Sequence, residues 1–188
     1  LNLLSVGRLL PHKGQHALLQ MLAAWKNSFK EPVRLCLVGG SDPRFKKYSH
    51  AVRKEILALG LLDDVILADE VSVAALHAYY EAAHVLVVAS HHEGFCVPIV
   101  EAMSMRRPVV AVARTAVPET LGAGGILLPD FDPPSFAAAA HRAATDPQLR
   151  ADISARQAQE MLRFEPSRLA SAFQAFLRRC ANTRSGTL

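Results

Sequence analysis

Residues 85–103, VLVVASHHEGFCVPIVEAM, contain a short apolar run, a polar loop and a segment opened by proline. The run VLVVA is continuous rather than alternating, which is typical of a strand buried on both faces of a sheet. Pro98 favours the first turn of a helix, because the N–H that proline lacks would have no helical partner there. The stretch therefore predicts a strand, a loop and a helix, which are the elements of a parallel crossover unit.

Five similar apolar runs, separated by helical patterns, accompany this stretch. The runs lie at 1–6, 33–40, 65–67, 108–112 and 125–128. The helical patterns, with apolar residues at three-and-four spacing, lie at 15–29, 45–59, 73–83, 98–105 and 118–121. Because parallel strands need long connections, the alternation predicts a doubly wound parallel α/β sheet of about six strands with helices on both faces.

After the last apolar run the pattern becomes purely helical. We predict helices at 135–145, 148–161 and 167–180. Asp132 and Asp146 are expected to cap the first two of these helices. The third helix carries an apolar stripe that needs a partner in this domain or in another one, formed by Leu169, Phe173, Phe176, Leu177 and Cys180. We predict one domain over residues 1–180 and expect the polar residues 181–188 to form a disordered tail.

The composition excludes several classes of protein. The chain has 188 residues, of which 51% are apolar and 20% charged, so it can bury a sizeable core and is neither disordered nor fibrous. No apolar run approaches the roughly 18 residues of a membrane span. The 21 basic and 17 acidic residues are spread along the chain, which disfavours nucleic-acid binding.

The three cysteines indicate the redox compartment, and the first residue indicates where the chain begins in the protein. Cys36, Cys96 and Cys180 are far apart and odd in number, so they fit neither a disulfide framework nor a zinc site. We therefore expect a reducing, cytoplasmic compartment. Because Leu1 already lies inside an apolar run, and neither an initiator Met nor a signal peptide precedes it, we expect the chain to begin within a longer protein.

The loop after the first run, GRLLPHKG at 7–14, gathers positive charge. Ligands of open parallel sheets bind outside the carboxyl ends of the strands, where this loop is expected to lie. Gly7 allows a close backbone approach, Arg8 offers a planar fork of donors, and Lys13 lies where a helix begins. These features suit a diphosphate, whereas the alternative is that both cations are solvated loop charges. The loop lacks the GK[ST] ending of a Walker motif.

Two carboxylates distinguish the loop and helix of the stretch quoted first. Glu93 lies in the loop and Glu101 is expected in the first turn of the helix, with both pointing toward one cleft. Carboxylates accept paired hydrogen bonds from vicinal hydroxyls, so they could bind a ribose and a hexose. The backbone N–H groups of Gly94, Phe95 and Cys96 could face an anion. The alternative is that Glu93 caps the loop and Glu101 lies on the helix surface.

Two further loops could form the walls of a site for a planar base. They follow the second and third runs and include Gly39 in VGGSDP and Val71 in ADEVS. The alternative is a tight glycine turn in the first loop and a helix cap, Ser72, in the second.

We predict no metal site and no nucleophilic cysteine. His91, His92 and Glu93 are adjacent and lack the spacing of metal ligands, while Asp132 is explained as a helix cap. Cys96 has no evident base and is expected to be a small apolar wall residue.

The segments VGRLLPHKG, EGFCVPIVEAM, PVVAV with a following Pro and Glu, and GILLPDFDP occur in this order over residues 1–180. Together they resemble the nucleotide-sugar-binding half of retaining glycosyltransferases, and more narrowly glycosyltransferase family 4 of GT-B architecture. The resemblance implies a Rossmann-like domain that binds a nucleoside diphosphate sugar as donor substrate, without a cofactor or a metal. The sequence departs from the family pattern at Arg107 and in the run RTAVPE, where glycines are usual.

The resemblance also implies roles for individual residues. Arg8 and Lys13 would hold the donor diphosphate and stabilise it as it leaves. Glu93 would lie near the transferred sugar, and Glu101 would bind the ribose hydroxyls. The backbone beside Glu93 would contact the donor, and the loops after the second and third runs would enclose the base.

The partners that the resemblance implies lie partly outside this chain. They are GDP-mannose or a UDP-hexose, a saccharide or lipid-linked acceptor, and an N-terminal acceptor-binding domain that this chain lacks and that could contact the inner face of a membrane. The alternatives are a non-catalytic nucleotide-sugar-binding module and an epimerase or phosphorylase of similar architecture. A response regulator is disfavoured, because none of the first five runs ends in the required Asp.

Overall fold

The computed structural model describes residues 1–184, with side chains to residue 180. Within this range six strands form one parallel sheet in the order β3-β2-β1-β4-β5-β6. The strands are β1 (Asn2–Val6), β2 (Arg34–Val38), β3 (Val65–Ala68), β4 (Val85–Val88), β5 (Val109–Val112) and β6 (Ile126–Leu128). The predicted fold class, a doubly wound parallel sheet, is confirmed.

Eight α-helices occur in the described residues, at the places that the helical patterns predict. They are α1 (Gln15–Ser28), α2 (Lys46–Ala58), α3 (Val73–Ala82), α4 (Val97–Ser104), α5 (Val117–Leu121), α6 (Pro133–Thr145), α7 (Pro147–Met161) and α8 (Pro166–Arg184). The side chains of Ser72, Asp132 and Asp146 accept backbone N–H groups at the starts of α3, α6 and α7, as expected.

The sheet separates two apolar cores, which explains why the strand runs do not alternate. In β1, Leu3 packs into the core beneath α1, α2 and α6, whereas Leu4 packs into the core beneath α3, α4 and α5. In β4, Val87 and Leu86 divide in the same way. Each fully buried side chain of this size contributes about 1.5–3 kcal/mol, so the buried strand positions are constrained to be apolar.

The last helix differs from the prediction in its length and its packing. Helix α8 continues to Arg184, so residues 181–184 are helical rather than part of a disordered tail, and residues 185–188 lie outside the described residues. The large side chains of its apolar stripe, from Leu169 to Leu177, are about half exposed, so the rest of the domain does not bury them. Within residues 1–184 no helix combines the length and apolarity that a membrane crossing requires.

The strand order creates a switch point at the centre of the sheet. The chain moves outward from β1 through β2 to β3, and then returns to β4 on the other side of β1. The loops after β1 and β4 therefore begin next to each other at the carboxyl edge. In open parallel sheets this position is where ligands bind.

Candidate functional site

A cavity of about 620 Å³ opens at the carboxyl ends of β1, β2 and β3. Four of the predicted site residues line it, namely Gly7, Arg8, Gly39 and Val71. The cavity continues along the loop after β2 and reaches Leu76 in α3. The loops predicted as walls for a base therefore do enclose one space.

Two glycines allow the loops to approach closely around this cavity. A Cβ atom at Gly39, where φ is 140°, would lie 2.5 Å from the carbonyl oxygen of Gly7. A Cβ atom at Gly14, where φ is 71°, would overlap the carbonyl oxygen of Ala89, the residue directly after β4. Glycine is therefore required at both positions by backbone conformation and by space.

Arg8 is held at the cavity wall by a carboxylate that the sequence analysis did not assign. Arg8 Nη1 lies 3.3 Å from Asp42 Oδ2, while Arg44 donates to Asp42 from Nε at 3.0 Å and Nη2 at 2.8 Å. Asp42 is only 5% exposed. Hydrogen bonds from Arg44, together with the charges of Arg44 and Arg8, lower the pKa of Asp42 to about 2. From the sequence, Asp42 could be interpreted only as the cap of the turn that begins at Pro43.

Lys13 and Glu93 meet at the switch point. Lys13 Nζ lies 2.7 Å from Glu93 Oε1 and 3.0 Å from Oε2, and the two side chains are 20% and 9% exposed. The backbone N–H of His91 also donates to the carbonyl of His12 at 2.8 Å. Two predicted site residues, 80 positions apart in sequence, are thus joined by a largely buried ion pair.

The backbone of Glu93 is fixed by a residue that the sequence analysis missed. Thr115 Oγ1 accepts the Glu93 N–H at 2.8 Å and donates to the Glu93 carbonyl at 3.0 Å. Thr115 lies in the loop after β5 with φ at 47°. Thr115 belongs to the run RTAVPE, where the sequence departs from the family pattern. One residue of that departure therefore contacts Glu93.

Glu101 lies in the second turn of α4 rather than in the predicted first turn, because α4 already begins at Val97. Its Oε2 accepts a 2.6 Å hydrogen bond from the hydroxyl of Tyr80, which is 1% exposed. Burial raises the pKa of Tyr80, and the neighbouring Glu101 raises it further. Sequence reasoning did not find Tyr80, whose position in α3 indicates only a core residue.

Cys96 lies between the two carboxylates, at the start of α4. It is buried and has a left-handed backbone with φ at 66°. Burial raises the pKa of its thiol to about 12, with further contributions from the charges of Glu93 and Glu101, and Lys13 opposes the shift. The thiol is therefore protonated at neutral pH. Cys96 packs in the core beneath α3, α4 and α5 and does not line the 620 Å³ cavity, so it is a core residue rather than the predicted wall residue.

The other predicted site residues do not line the 620 Å³ cavity. Lys13, Glu93 and Glu101 do not line it, although Lys13 lies against Gly7, which does. Gly94 and Phe95 are exposed and line a separate hollow of about 190 Å³. Among the residues whose side chains are described, no group of three His, Cys, Asp or Glu is arranged as metal ligands would be.

Residues 2–160 match the family model described as glycosyl transferases group 1. The chain belongs to this family. It is 33% identical to a D-inositol 3-phosphate glycosyltransferase of Kineococcus radiotolerans over 97% of the chain and 45% of that protein. It is 29% identical to the O-antigen chain mannosyltransferase RfbU of Salmonella typhimurium over 72% of the chain and 36% of that protein. The chain thus spans less than half the length of these relatives.

Solved structures of the group 1 family and its relatives share the fold. The Anabaena protein Alr3699/HepE in complex with UDP and glucose superposes with a TM-score of 0.84 at 26% identity, covering 95% of this chain and 48% of that one. The C-terminal domain of a Francisella tularensis glycosyl transferase group 1 protein, LpcC, has a TM-score of 0.74 at 21% identity, covering 86% of this chain and 84% of that one. The Rossmann-like sheet is accordingly that of one half of a GT-B glycosyltransferase.

Proposed function

We propose that this chain is the donor-binding domain of a retaining, metal-independent glycosyltransferase of family 4. It would bind a UDP-hexose or GDP-mannose, from which the hexose passes to a saccharide or lipid-linked acceptor in polysaccharide or glycoconjugate synthesis. The observation that carries the proposal is the ion pair between Lys13 and Glu93, which joins the loops after β1 and β4 beside the cavity.

The diphosphate is assigned to Arg8 and Lys13. Arg8 is held at the cavity wall by Asp42, and Lys13 lies against Gly7 on the same loop. Both cations can stabilise the negative charge that develops on the leaving diphosphate. In other transferases a divalent metal ion performs this task. The chain therefore needs neither a metal nor a cofactor for this step.

Glu93 is assigned to the transferred sugar. Both oxygens of its carboxylate accept hydrogen bonds from Lys13 Nζ, so a phosphate would compete with the carboxylate for the same ammonium group. Once displaced, the carboxylate remains next to the phosphate through its backbone bonds to Thr115 and can accept hydroxyls of the attached sugar. The base would lie among the walls that include Gly39 and Val71, with Glu101 on the ribose.

The configuration at the anomeric carbon of the hexose would be retained because the acceptor attacks from the same face that the diphosphate leaves. A double displacement needs a carboxylate nucleophile. Glu93 is assigned to the hydroxyls of the transferred sugar and Glu101 is bonded to Tyr80, so neither carboxylate is proposed as the nucleophile. The acceptor would come from the part of the protein outside this chain. We further propose a cytoplasmic location, with any membrane contact made by that other part.

The relatives support a nucleotide sugar as the donor. The Anabaena structures contain UDP, UDP with glucose, or UDP-glucose, and the Salmonella relative is a mannosyltransferase. These names leave both UDP-hexoses and GDP-mannose as candidates for this chain.

Isothermal titration with uridine, UMP and UDP, and with the guanosine series, tests the proposal. One series should bind more tightly as phosphates are added, and EDTA should leave its affinity unchanged. Replacing Arg8 and Lys13 together by Ala should remove about 1.5–3 kcal/mol of that phosphate advantage, the contribution of hydrogen bonds to charged groups. Lys47→Ala, an exposed cation on α2, is the matched control.

Two results would contradict the assignment. Equal affinities of nucleoside and diphosphate in the unmodified chain would exclude a diphosphate site at these residues. A phosphate advantage that requires added metal would exclude metal independence. Transfer assays on the full-length protein then distinguish a transferase from a non-catalytic binding module.

A further inference from the structure

The buried hydroxyl of Tyr80 points at one oxygen of Glu101. The ring packs in the apolar core beneath α3, α4 and α5, where Tyr80 is 1% exposed. Its hydroxyl has one proton to donate, and Glu101 Oε2 at 2.6 Å is closer than the carbonyl oxygen of Pro98 at 3.3 Å. Burial and the adjacent carboxylate both raise the pKa of Tyr80, so the phenol keeps this proton at neutral pH.

This hydrogen bond restricts the carboxylate of Glu101. A glutamate on an otherwise open helix surface rotates about three single bonds, whereas a 2.6 Å bond to a buried group fixes one oxygen. Oε1 takes no part in this hydrogen bond and can accept one from a ligand. A fixed carboxylate loses less conformational entropy on binding than a mobile one, which favours tight recognition of paired hydroxyls.

Helix α3 links this carboxylate to the main cavity. Val71, just before α3, and Leu76, in its first half, both line the 620 Å³ cavity. Tyr80 follows Leu76 by four positions and therefore lies one turn further along the same helix face. One rigid helix thus sets both the cavity wall and the orientation of Glu101.

We propose that Tyr80 is a positioning residue that orients Glu101 for binding the ribose hydroxyls of the donor. The proposal rests on the proposed function, since it assumes that Glu101 receives the ribose. It assigns no chemical step to Tyr80, which does not contact the ligand. It predicts that loss of the hydroxyl weakens discrimination among nucleotides by their ribose hydroxyls and leaves phosphate recognition intact.

The test compares the dissociation constants of UDP with 2′-deoxy-UDP and of GDP with 2′-deoxy-GDP, by titration calorimetry on this chain. The unmodified chain should prefer one ribonucleotide over its deoxy form by about tenfold or more, as expected for a hydrogen bond to a charged group. Tyr80→Phe should reduce this preference to about twofold or less, and the ratio of diphosphate to monophosphate affinity should not change. Tyr79→Phe, at the neighbouring and partly exposed tyrosine, should behave like the unmodified chain.

A preference in Tyr80→Phe equal to that of the unmodified chain would overturn the positioning role while leaving the proposed function intact. No preference in the unmodified chain itself would overturn both the ribose assignment of Glu101 and the role of Tyr80.

If Tyr80→Phe does not fold, two side chains of nearly equal size replace it in the same assay. 4-Aminophenylalanine at position 80 keeps a donor and should keep the preference, whereas 4-methylphenylalanine has none and should lose it. Equal preferences in these two variants would also overturn the proposal.

Discussion

Lys13→Met removes the cation from an ion pair whose carboxylate is almost completely buried. Methionine keeps the length and apolar surface of the lysine stem, so the change isolates the ammonium group. Glu93 is 9% exposed, and its two oxygens lie 2.7 and 3.0 Å from Lys13 Nζ. After the substitution the carboxylate has lost its counter-ion in a place that water scarcely reaches.

The expected cost follows from this burial. Removing one partner of a buried ion pair costs about 3–5 kcal/mol, because the other charge stays behind unpaired. Lys13 is 20% exposed, so we expect the lower end, about 3 kcal/mol, which corresponds to a fall in Tm of about 6–12 °C for a domain of this size. Combining Lys13→Met with Glu93→Gln removes both charges and should restore about 2 kcal/mol of that loss.

Urea unfolding followed by circular dichroism measures the four free energies of this cycle, with unchanged m-values as the sign that the folded state is intact. Lys26 and Asp64 form a second lysine–carboxylate pair, in which the lysine is 43% exposed. The matched cycle with Lys26→Met and Asp64→Asn should give a coupling below about 1 kcal/mol. Equal couplings in the two cycles, or strictly additive effects at Lys13 and Glu93, would refute the reasoning.

Two further predictions concern a glycine and a carboxylate. Gly14→Ala should lower the free energy of unfolding in urea by more than about 3 kcal/mol, because a clash with Ala89 is added to the about 1–2 kcal/mol that a left-handed backbone costs. Gly60 has a similar φ but open space around it, so Gly60→Ala should cost only about 1–2 kcal/mol. Equal losses in the two variants would contradict this account. Asp42 has its pKa lowered to about 2, below the roughly 3.9 of an unfolded Asp, so its contribution to stability is complete above pH 4 and is lost as the pH falls toward 2. Asp42→Asn should therefore flatten the decline in unfolding free energy between pH 4 and 2, and an unchanged decline would show that Asp42 does not cause it.

The strands and helices could be predicted from sequence because each depends on local pattern. Leu3 and Leu4 face opposite cores, so a continuous apolar run was the correct indication of a strand covered on both sides. Proline and the capping aspartates marked helix starts, since their effects depend on the first turn alone. The strand order did not follow from the sequence, because it depends on which edge of β1 receives β4.

The site was predictable in part. Arg8, Lys13, Glu93 and Glu101 were selected as candidates by residue type and by their place after strands, but the sequence did not predict the ion pair between Lys13 and Glu93. Gly94 and Phe95 were assigned to the same space, yet they line a different hollow.

The residues that orient the candidate side chains could not be predicted. Asp42 holds Arg8, Thr115 holds the backbone of Glu93, and Tyr80 holds Glu101. Each of these partners is 21 or more positions away in sequence, so only the assembled fold shows the contact.

The central position of β1 has a consequence for the order of folding. Of the six strands described, β1 is synthesised before the others, and it pairs with β2 on one edge and with β4 on the other, while Asn2 bonds to His84 across 82 positions. Contacts of such long range slow folding, since the intervening chain must be closed into a loop before they form. At a synthesis rate of about 5–20 residues per second, one edge of β1 waits several seconds for its neighbour. During that interval the nascent chain exposes the unpaired edge of an apolar strand, which is the kind of surface on which partly folded chains aggregate.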